Sequence, residues 1–422
     1  MAEAGKKVSC EVRYAKVMRL PHLTPLQFRV LLILTLLHFL NYVDRQVVYA
    51  LVPLLRAEFV LTRFEIGLLG TVFSLVHSLF TLPLGWLGDR TSRKKVITFA
   101  VFTWSIATFL CGLAQSFGNL LKLRALVGVG EAAYAPSAMA IITGSFAREV
   151  RARVQGVFEC GMFIGGAVGL GLGSILAQWL GWRAAFFVVG IPGLLVALSI
   201  FRLPEPPVEK EKPFPPTRLL RIPAYVAVLV GGWFITFAAH SYIFWGTDFV
   251  YTHKNFELWE AGALLGGSLV VAGVLGIVSG SALGDRLAKR FSWGRAFVIG
   301  IGLLIGAPLL LAAIHTESKA LFVALFFLAC IFMSWYHGPL TAVMHDLTPA
   351  HSHATALGLY LLFVNFFAVT PSPLVLGGVA DKYGLHHGMH LAVAAQVIGG
   401  LCFLGVAYII HRSERGAAER RP

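Results

Sequence analysis

The feature that most limits how this chain can fold is a succession of twelve long apolar stretches, each set off from the next by a short polar segment. They fall at 27–54, 65–86, 96–115, 118–143, 152–178, 183–202, 222–250, 258–284, 294–314, 319–345, 354–380 and 389–410. A helix needs about 20 apolar residues to cross a bilayer, and each stretch reaches that length. Of the residues, 57% are hydrophobic and only 13% are charged, against about a quarter charged in soluble domains. The mean hydropathy is +0.75. No water-soluble fold of this size hides that much apolar surface, which excludes a soluble enzyme. Strand signals are weak, which favours helices over a barrel. The expected fold class is an all-α membrane protein with twelve transmembrane helices.

The net charge of +14 does not imply nucleic-acid binding, because the basic residues sit in short clusters between apolar runs. Loops on one side of the membrane, together with both ends of the chain, hold 25 Lys and Arg; loops and helix ends on the other side hold seven. The remaining three, Arg29, Arg45 and Arg124, fall within helices. Basic loops stay in the cytoplasm, so both termini are expected there. No cleavable signal segment is read near the start. The stretch 203–221 is rich in Pro and charge and cannot span. It reads as a cytoplasmic linker. The expected organisation is a cytoplasmic segment 1–26, a bundle 27–202, the linker 203–221, a second bundle 222–410 and a cytoplasmic tail 411–422. The five cysteines are scattered and predict neither disulfides nor a metal site.

The two bundles resemble each other. Leu87-Gly88-Asp89-Arg90 follows the second span, and Leu283-Gly284-Asp285-Arg286 follows the eighth, 196 residues later. Leu172-Gly173-Ser174 in the fifth span matches Leu376-Gly377-Gly378 in the eleventh, at an offset of 204. A 6+6 repeat about a polar linker is a transporter architecture.

An ionisable side chain inside a spanning helix costs at least a few kcal/mol, so it needs a partner or a task. Asp44 and Arg45 lie in the first span, and Arg124 and Glu131 in the fourth. Seven residues bring a helix back to within about 20° of the same face and about 10 Å further along. The two spans run in opposite directions, so the four charges share one depth band. They sum to zero, and a neutral network that only fixes helix packing is the competing reading. The repeat offset of 196 carries Asp44 onto His240, and an offset of 203, from Pro136 against Pro339, carries Glu131 onto Ser334. The charge therefore belongs to the first bundle. The second offers Tyr242, Trp245, Trp335, Tyr336 and His337, an aromatic and weakly polar surface. Glu159 is expected to pair with Arg151 or Arg153. The segment His345-Asp346…His351-x-His353 reads as a loop without a metal site.

Several segments resemble the major facilitator superfamily. Gly85-Trp86-Leu87-Gly88-Asp89-Arg90-Thr91-Ser92-Arg93-Lys94-Lys95 is similar to its signature between helices 2 and 3, with Ser92 where the family usually has glycine. Arg124-Ala-Leu-Val-Gly128-Val-Gly130-Glu131-Ala132 is similar to its helix-4 motif. The run Gly161, Gly165, Gly166, Gly169, Gly171, Gly173 resembles its helix-5 glycine motif without the usual proline, and close packing accounts for it. Asn41-Tyr42-Val43-Asp44-Arg45 together with the helix-4 motif resembles the spinster subfamily, whose animal members move sphingoid and lysophospholipid molecules.

The resemblance implies two six-helix bundles with a central cavity lined by helices 1, 4, 7 and 10. The expected lining residues are Asn41, Tyr42, Tyr49, Tyr134, His240, Tyr242, Trp245, Trp335, Tyr336 and His337. It also implies a latch, built from Gly85, Gly88, Asp89, Arg90, Arg93, Gly284, Asp285 and Arg286, that forms when the cytoplasmic side shuts. Asp89 would meet the positive N-terminal end of helix 11, and Asp285 that of helix 5.

The expected function is secondary active transport of a small amphiphilic or lipid-like molecule, with an anionic one among the options, by alternating access, coupled to protons. Asp44, Arg45, Arg124 and Glu131 form the substrate and coupling site, with Glu131 the proton carrier and Asp44 the lasting partner of Arg124. The expected setting is a monomer in a bacterial inner membrane, with no cofactor, metal or nucleic acid. No phosphate-binding Gly-x4-Gly-Lys-Ser/Thr run is present, so ATP drive is unsupported. The alternatives are transport of organic anions or drugs and, from other classes, a substrate sensor or an intramembrane enzyme.

Overall fold

The computed structural model describes residues 23–201, 203, 215–349 and 352–418; the side chains of Asp89, Arg148, Glu149, Ala152, Pro216, Ala354 and 415–418 lie outside that description. Most of the expected segment 1–26, most of the linker 203–221 and the last four residues of the tail also fall outside it.

Among the described residues, twelve helices are long and apolar enough to cross a membrane. They are α1 (Pro25–Phe59), α2 (Arg63–Gly88), α3 (Arg93–Cys111), α4 (Phe117–Ser145), α5 (Arg153–Leu180), α6 (Trp182–Ile200), α7 (Pro223–His253), α8 (Leu258–Ala288), α9 (Gly294–His315), α10 (Lys319–Leu347), α11 (Thr355–Tyr383) and α12 (Leu385–Glu414). The described residues contain no strand. The chain is an integral multi-pass membrane protein. Below, the end of the molecule at which the described residues begin and stop is the terminal end, and the opposite one is the far end.

Local chemistry sets the helix boundaries. Thr24 with Gln27 and Thr62 with Glu65 close reciprocal capping boxes at the starts of α1 and α2. Ser92, the departure from the family signature, caps α3 by accepting from the Lys95 N–H. Gly181 (φ 81°) turns α5 into α6 and Gly384 (φ 91°) turns α11 into α12. Only glycine takes that backbone region readily, and the two stand 203 residues apart, at the repeat offset.

Three spans expected to be continuous are interrupted. α4 breaks at Ala133, three residues before Pro136. α10 breaks into a 3-10 turn at Ser334–Tyr336, ending three residues before Pro339. A proline removes one backbone donor and crowds the preceding turn, which explains both positions. α11 carries a π-helical turn at Asn365–Val369, ahead of Pro371 and Pro373. Several ends also run past the expected limits: α1 continues to Phe59, and the last helix continues to Ala418.

The two bundles pack unequally along their depth. At the far end one hydrophobic core runs through both, with Val47, Leu51, Phe244, Trp245 and Leu376 in a single cluster. At the terminal end each bundle has its own core: one around Leu34, Val101, Ile142 and Phe158, the other around Tyr225, Ile299, Met344 and Phe403. The bundles are thus joined at the far end and parted at the terminal end.

Candidate transport site

Glycines bring the site helices together. Gly161, Gly165, Gly169 and Gly173, four residues apart on α5, lie against the α1 backbone near Thr35, Phe39, Val43 and Val47. At Gly169 an added Cβ would stand 2.7 Å from the Val43 carbonyl oxygen, so any larger residue forces the helices apart. Gly128 fits α4 against Phe73 and His77 of α2, and Gly130 fits it against Trp104 of α3. These contacts carry Arg124 and Glu131 to the face of α1 that bears Asp44 and Arg45.

The four charges meet as two pairs. Arg124 Nη1 lies 3.5 Å from Asp44 Oδ1, and the Thr108 hydroxyl donates to Asp44 Oδ2. Arg45 donates twice to one oxygen, Glu131 Oε2, at 2.8 and 3.1 Å. Glu131 Oε1 has no hydrogen bond of normal geometry among the described residues. The Phe73 ring lies under both guanidiniums, 5.1 Å from Arg45 and 4.6 Å from Arg124. Asp44, Arg124 and Glu131 are buried, whereas the Arg45 side chain keeps 20% of its exposure. His77 Nε2 stands 3.4 Å from Arg45 Nη2.

A cavity of about 240 Å³ lies beside this network, between the bundles. Of the ten expected lining residues, Tyr42, Tyr242, Tyr336 and His337 line it. The others are placed differently. Tyr134 is fully buried inside its bundle and donates to the Leu34 carbonyl. Trp245 is fully buried in the far-end core and donates to the Pro373 carbonyl. Trp335 packs over Gly280 and Gly302 and donates to Ser279. Asn41 is buried against the Glu131 carboxylate. Tyr49 and His240 share a hydrogen bond of 3.2 Å that joins α1 to α7, and His240 Nδ1 continues to Ser372 Oγ on α11 at 2.7 Å. The expected four-helix lining is also corrected. No α4 residue reaches the cavity; Met162, Phe163, Gly166 and Leu170 of α5 and Leu265, Ser268 and Leu269 of α8 do. The reason is that α5 and α8 approach through glycine and line the wall themselves, while α4 is packed against α2 and α3 through Gly128 and Gly130.

At the far end, the bundles are tied by charge. Asp248 of α7 accepts from Arg56 of α1 at 3.1 Å and lies 3.7 Å from Arg63 of α2. Asp381 of α11 accepts from the first backbone N–H groups of α2, Arg63 and Phe64, at 2.7 Å each. Gln178 of α5 donates to Glu257 and accepts from the Trp259 N–H at the start of α8. The sequence reading passed over Asp248, although an acid inside the seventh span satisfies the rule that selected Asp44 and Glu131.

At the terminal end, Gly85 packs on Pro136, Gly88 on Ser137 and Gly284 on Pro339, so the repeat is preserved in space. Arg90 lies over the Trp86 ring and Arg93 is buried near the Ala140 carbonyl. Asp285 is bound by Arg295, which also holds Asp346, within one bundle; Arg286 is exposed. The Asp89 side chain lies outside the described residues. Glu159 lies 3.8 Å from His38, and Arg151 donates to the Thr143 carbonyl instead of pairing with Glu159. His345 and Asp346 belong to α10 rather than to a loop, and His345 stacks on His353.

The Major Facilitator Superfamily profile matches residues 34–373. The chain belongs to this superfamily. It is 28% identical to an MFS-type efflux pump of Mycolicibacterium smegmatis, over 88% of this chain and 90% of that one. It is 26% identical to protein spinster of Drosophila melanogaster over 84% of its own length, and spans 62% of the fly protein. A bacterial homologue of the human lysosomal transporter spinster, solved inward-facing in occupied and unoccupied forms, superposes with TM-scores of 0.83 and 0.84. In both comparisons identity is 26%, covering 92% of this chain and 98% of the other. The superfamily member described here is spinster-like, and it is a transporter rather than an enzyme.

Proposed function

We propose that this transporter moves a small amphiphilic, lipid-like molecule with an anionic head across a bacterial inner membrane by alternating access, driven by protons. The observation that carries the reading is the position of Arg45. It alone among the four site charges keeps exposure, it is held by Glu131, and its neighbour Tyr42 lines a largely apolar cavity. While Glu131 is ionised, Arg45 is occupied. Protonation of Glu131 releases the guanidinium, which then takes an anionic headgroup through two parallel hydrogen bonds. The apolar wall of α5, α8 and α10 receives the tail. Asp44 keeps Arg124 neutralised throughout, with Thr108 as its second partner.

In this reading the terminal end is cytoplasmic, as the basic loops require, and the parted bundles form an inward-facing state. The far-end ties then belong to the closed outer side. When the outer side opens, the cytoplasmic side shuts and the latch forms: Asp89 meets the N-terminal end of α11 and Asp285 that of α5. One chain completes the cavity, so a monomer suffices. The efflux pump among the relatives supports a second reading, export of a drug-like amphiphile through the same cavity.

Proteoliposomes loaded with a fluorescent anionic lysophospholipid test the scheme. Glu131→Gln is expected to abolish accumulation driven by a pH gradient while preserving exchange. Retained gradient-driven accumulation in Glu131→Gln, with Asp44→Asn losing only the pH dependence, would reverse the two carboxylates' roles. Full flux in both variants would reduce the network to packing.

A further inference from the structure

His38 takes no part in the scheme above, yet its environment is unusual for a structural histidine. It is buried on α1, and neither ring nitrogen has a hydrogen-bond partner among the described residues. Its ring is stacked on Phe158 with centroids 4.1 Å apart and meets Tyr42 edge-on at 5.2 Å. The rings fix its plane, and its Nε2 edge faces Glu159 Oε2 of α5 at 3.8 Å. Buried polar atoms are normally paired; an imidazole held this way keeps one nitrogen open as an acceptor and the other as a donor.

The two residues also share the cavity's own stripes. His38, Tyr42 and Gln46 stand four residues apart on one face of α1, and the last two line the cavity. Glu159, Phe163, Gly166 and Leu170 repeat at helical spacing on α5, and the last three line it. His38 and Glu159 are therefore the next turn of each wall toward the terminal end, where the bundles are parted. The Glu159 side chain is 44% exposed and His38 is 6% exposed, so one is open to its surroundings and the other is enclosed.

We propose that Glu159 and His38 form a proton port between the open vestibule and the buried Glu131. The proposal rests on the reading of Glu131 as the proton carrier. A proton from vestibule water binds Glu159 Oε2 and passes to His38 Nε2. His38 accepts in its Nδ1–H form; the imidazolium then gives up its Nδ1 proton, which ends on Glu131 Oε1, and leaves the Nε2–H tautomer. A half-turn of the ring about the Cβ–Cγ bond, back into its own plane, restores the starting arrangement, so one net proton is carried per cycle. The other titratable groups around His38 are Tyr42 on α1 and Tyr134 on α4. Tyr134 is engaged with the Leu34 carbonyl, while Tyr42 lies between His38 and Arg45. Two helical turns, about 10 Å, separate residues 38 and 45 along α1, so the path passes Asn41 and Tyr42.

Time-resolved infrared spectroscopy after an acid jump on the purified full chain tests the port without any transported ligand. The signal is the protonated-carboxyl stretch that disappears in Glu131→Gln. In Glu159→Gln and His38→Phe it is expected to reach its full amplitude about tenfold or more slowly. His38→Phe keeps the ring stack, and Glu159 is exposed enough for its replacement to leave the fold intact; unchanged melting of both variants separates a slow port from a damaged protein. Unchanged rates would overturn the port and leave Glu131 as the coupling group. Slowing in Glu159→Gln alone would remove His38 from the path and overturn the proposal. If no Glu131 signal appears in the parent protein, the coupling reading fails and the port fails with it.

Discussion

The two bundles share a plan and differ in chemistry. Gly88 and Gly284 support the same helix turn, Pro136 and Pro339 follow the same break, and Gly181 and Gly384 make the same reversal. At the equivalent site positions the first bundle has Asp44 and Glu131, whereas the second has His240 and Ser334. Backbone requirements have persisted in both copies, while the charge at these site positions is confined to one. In the proposed scheme, a charged network beside one wall of the cavity and none beside the other would give a molecule with unlike ends a fixed direction.

The largest test of this asymmetry is Asp44→Ala. Removing one member of a buried ion pair leaves Arg124 uncompensated, and the loss of stability should be about 3–5 kcal/mol. Thermal unfolding in detergent would read it, and Ser334→Ala, at the position equivalent to Glu131, should move the transition far less. A similar drop for both would mean that the bundles do not differ in this way.

A second test concerns what holds the bundles together. Asp248→Asn weakens charge-assisted bonds across the far end, worth about 2 kcal/mol. That corresponds to roughly a 30-fold shift toward far-end opening. Distances between spin labels on α1 and α7 at that end should lengthen; an unchanged distribution would leave the shared hydrophobic core as the whole of the closure. Tyr49→Phe removes only the hydrogen bond to His240, about 1 kcal/mol, and the same labels should shift several-fold less. Asp89→Asn should act in the opposite sense and most weakly. Loss of a carboxylate at an exposed helix N-terminus costs under about 1 kcal/mol, and labels on the terminal end should move toward the parted distance.

Spacing along single helices was the most legible part of the sequence. It placed all twelve spans, and the seven-residue interval between Arg124 and Glu131 brought both to Asp44 and Arg45. Facing was less legible. Trp245 and Trp335 lie at the right depth but turn away from the cavity, because a span that is apolar on every side carries little signal for its rotation. The lining by α5 and α8 was missed for a related reason: the glycines that admit these helices signal close packing without naming the partner. The pairing of Arg56, Arg63 and Asp248 joins residues nearly 200 positions apart, and sequence spacing is silent about it.

The breaks at Ala133 and at Ser334–Tyr336 have a mechanical consequence. Both occur in the middle of their spans, one in each bundle. Each bundle is therefore a jointed lever, with an arm bound into the common core and a shorter arm packed with its own neighbours. Swinging the short arms would narrow the entrance before the joined arms release. In the proposed scheme, entry and exit would then be shut in sequence, with a molecule in the cavity enclosed on both sides between the two steps.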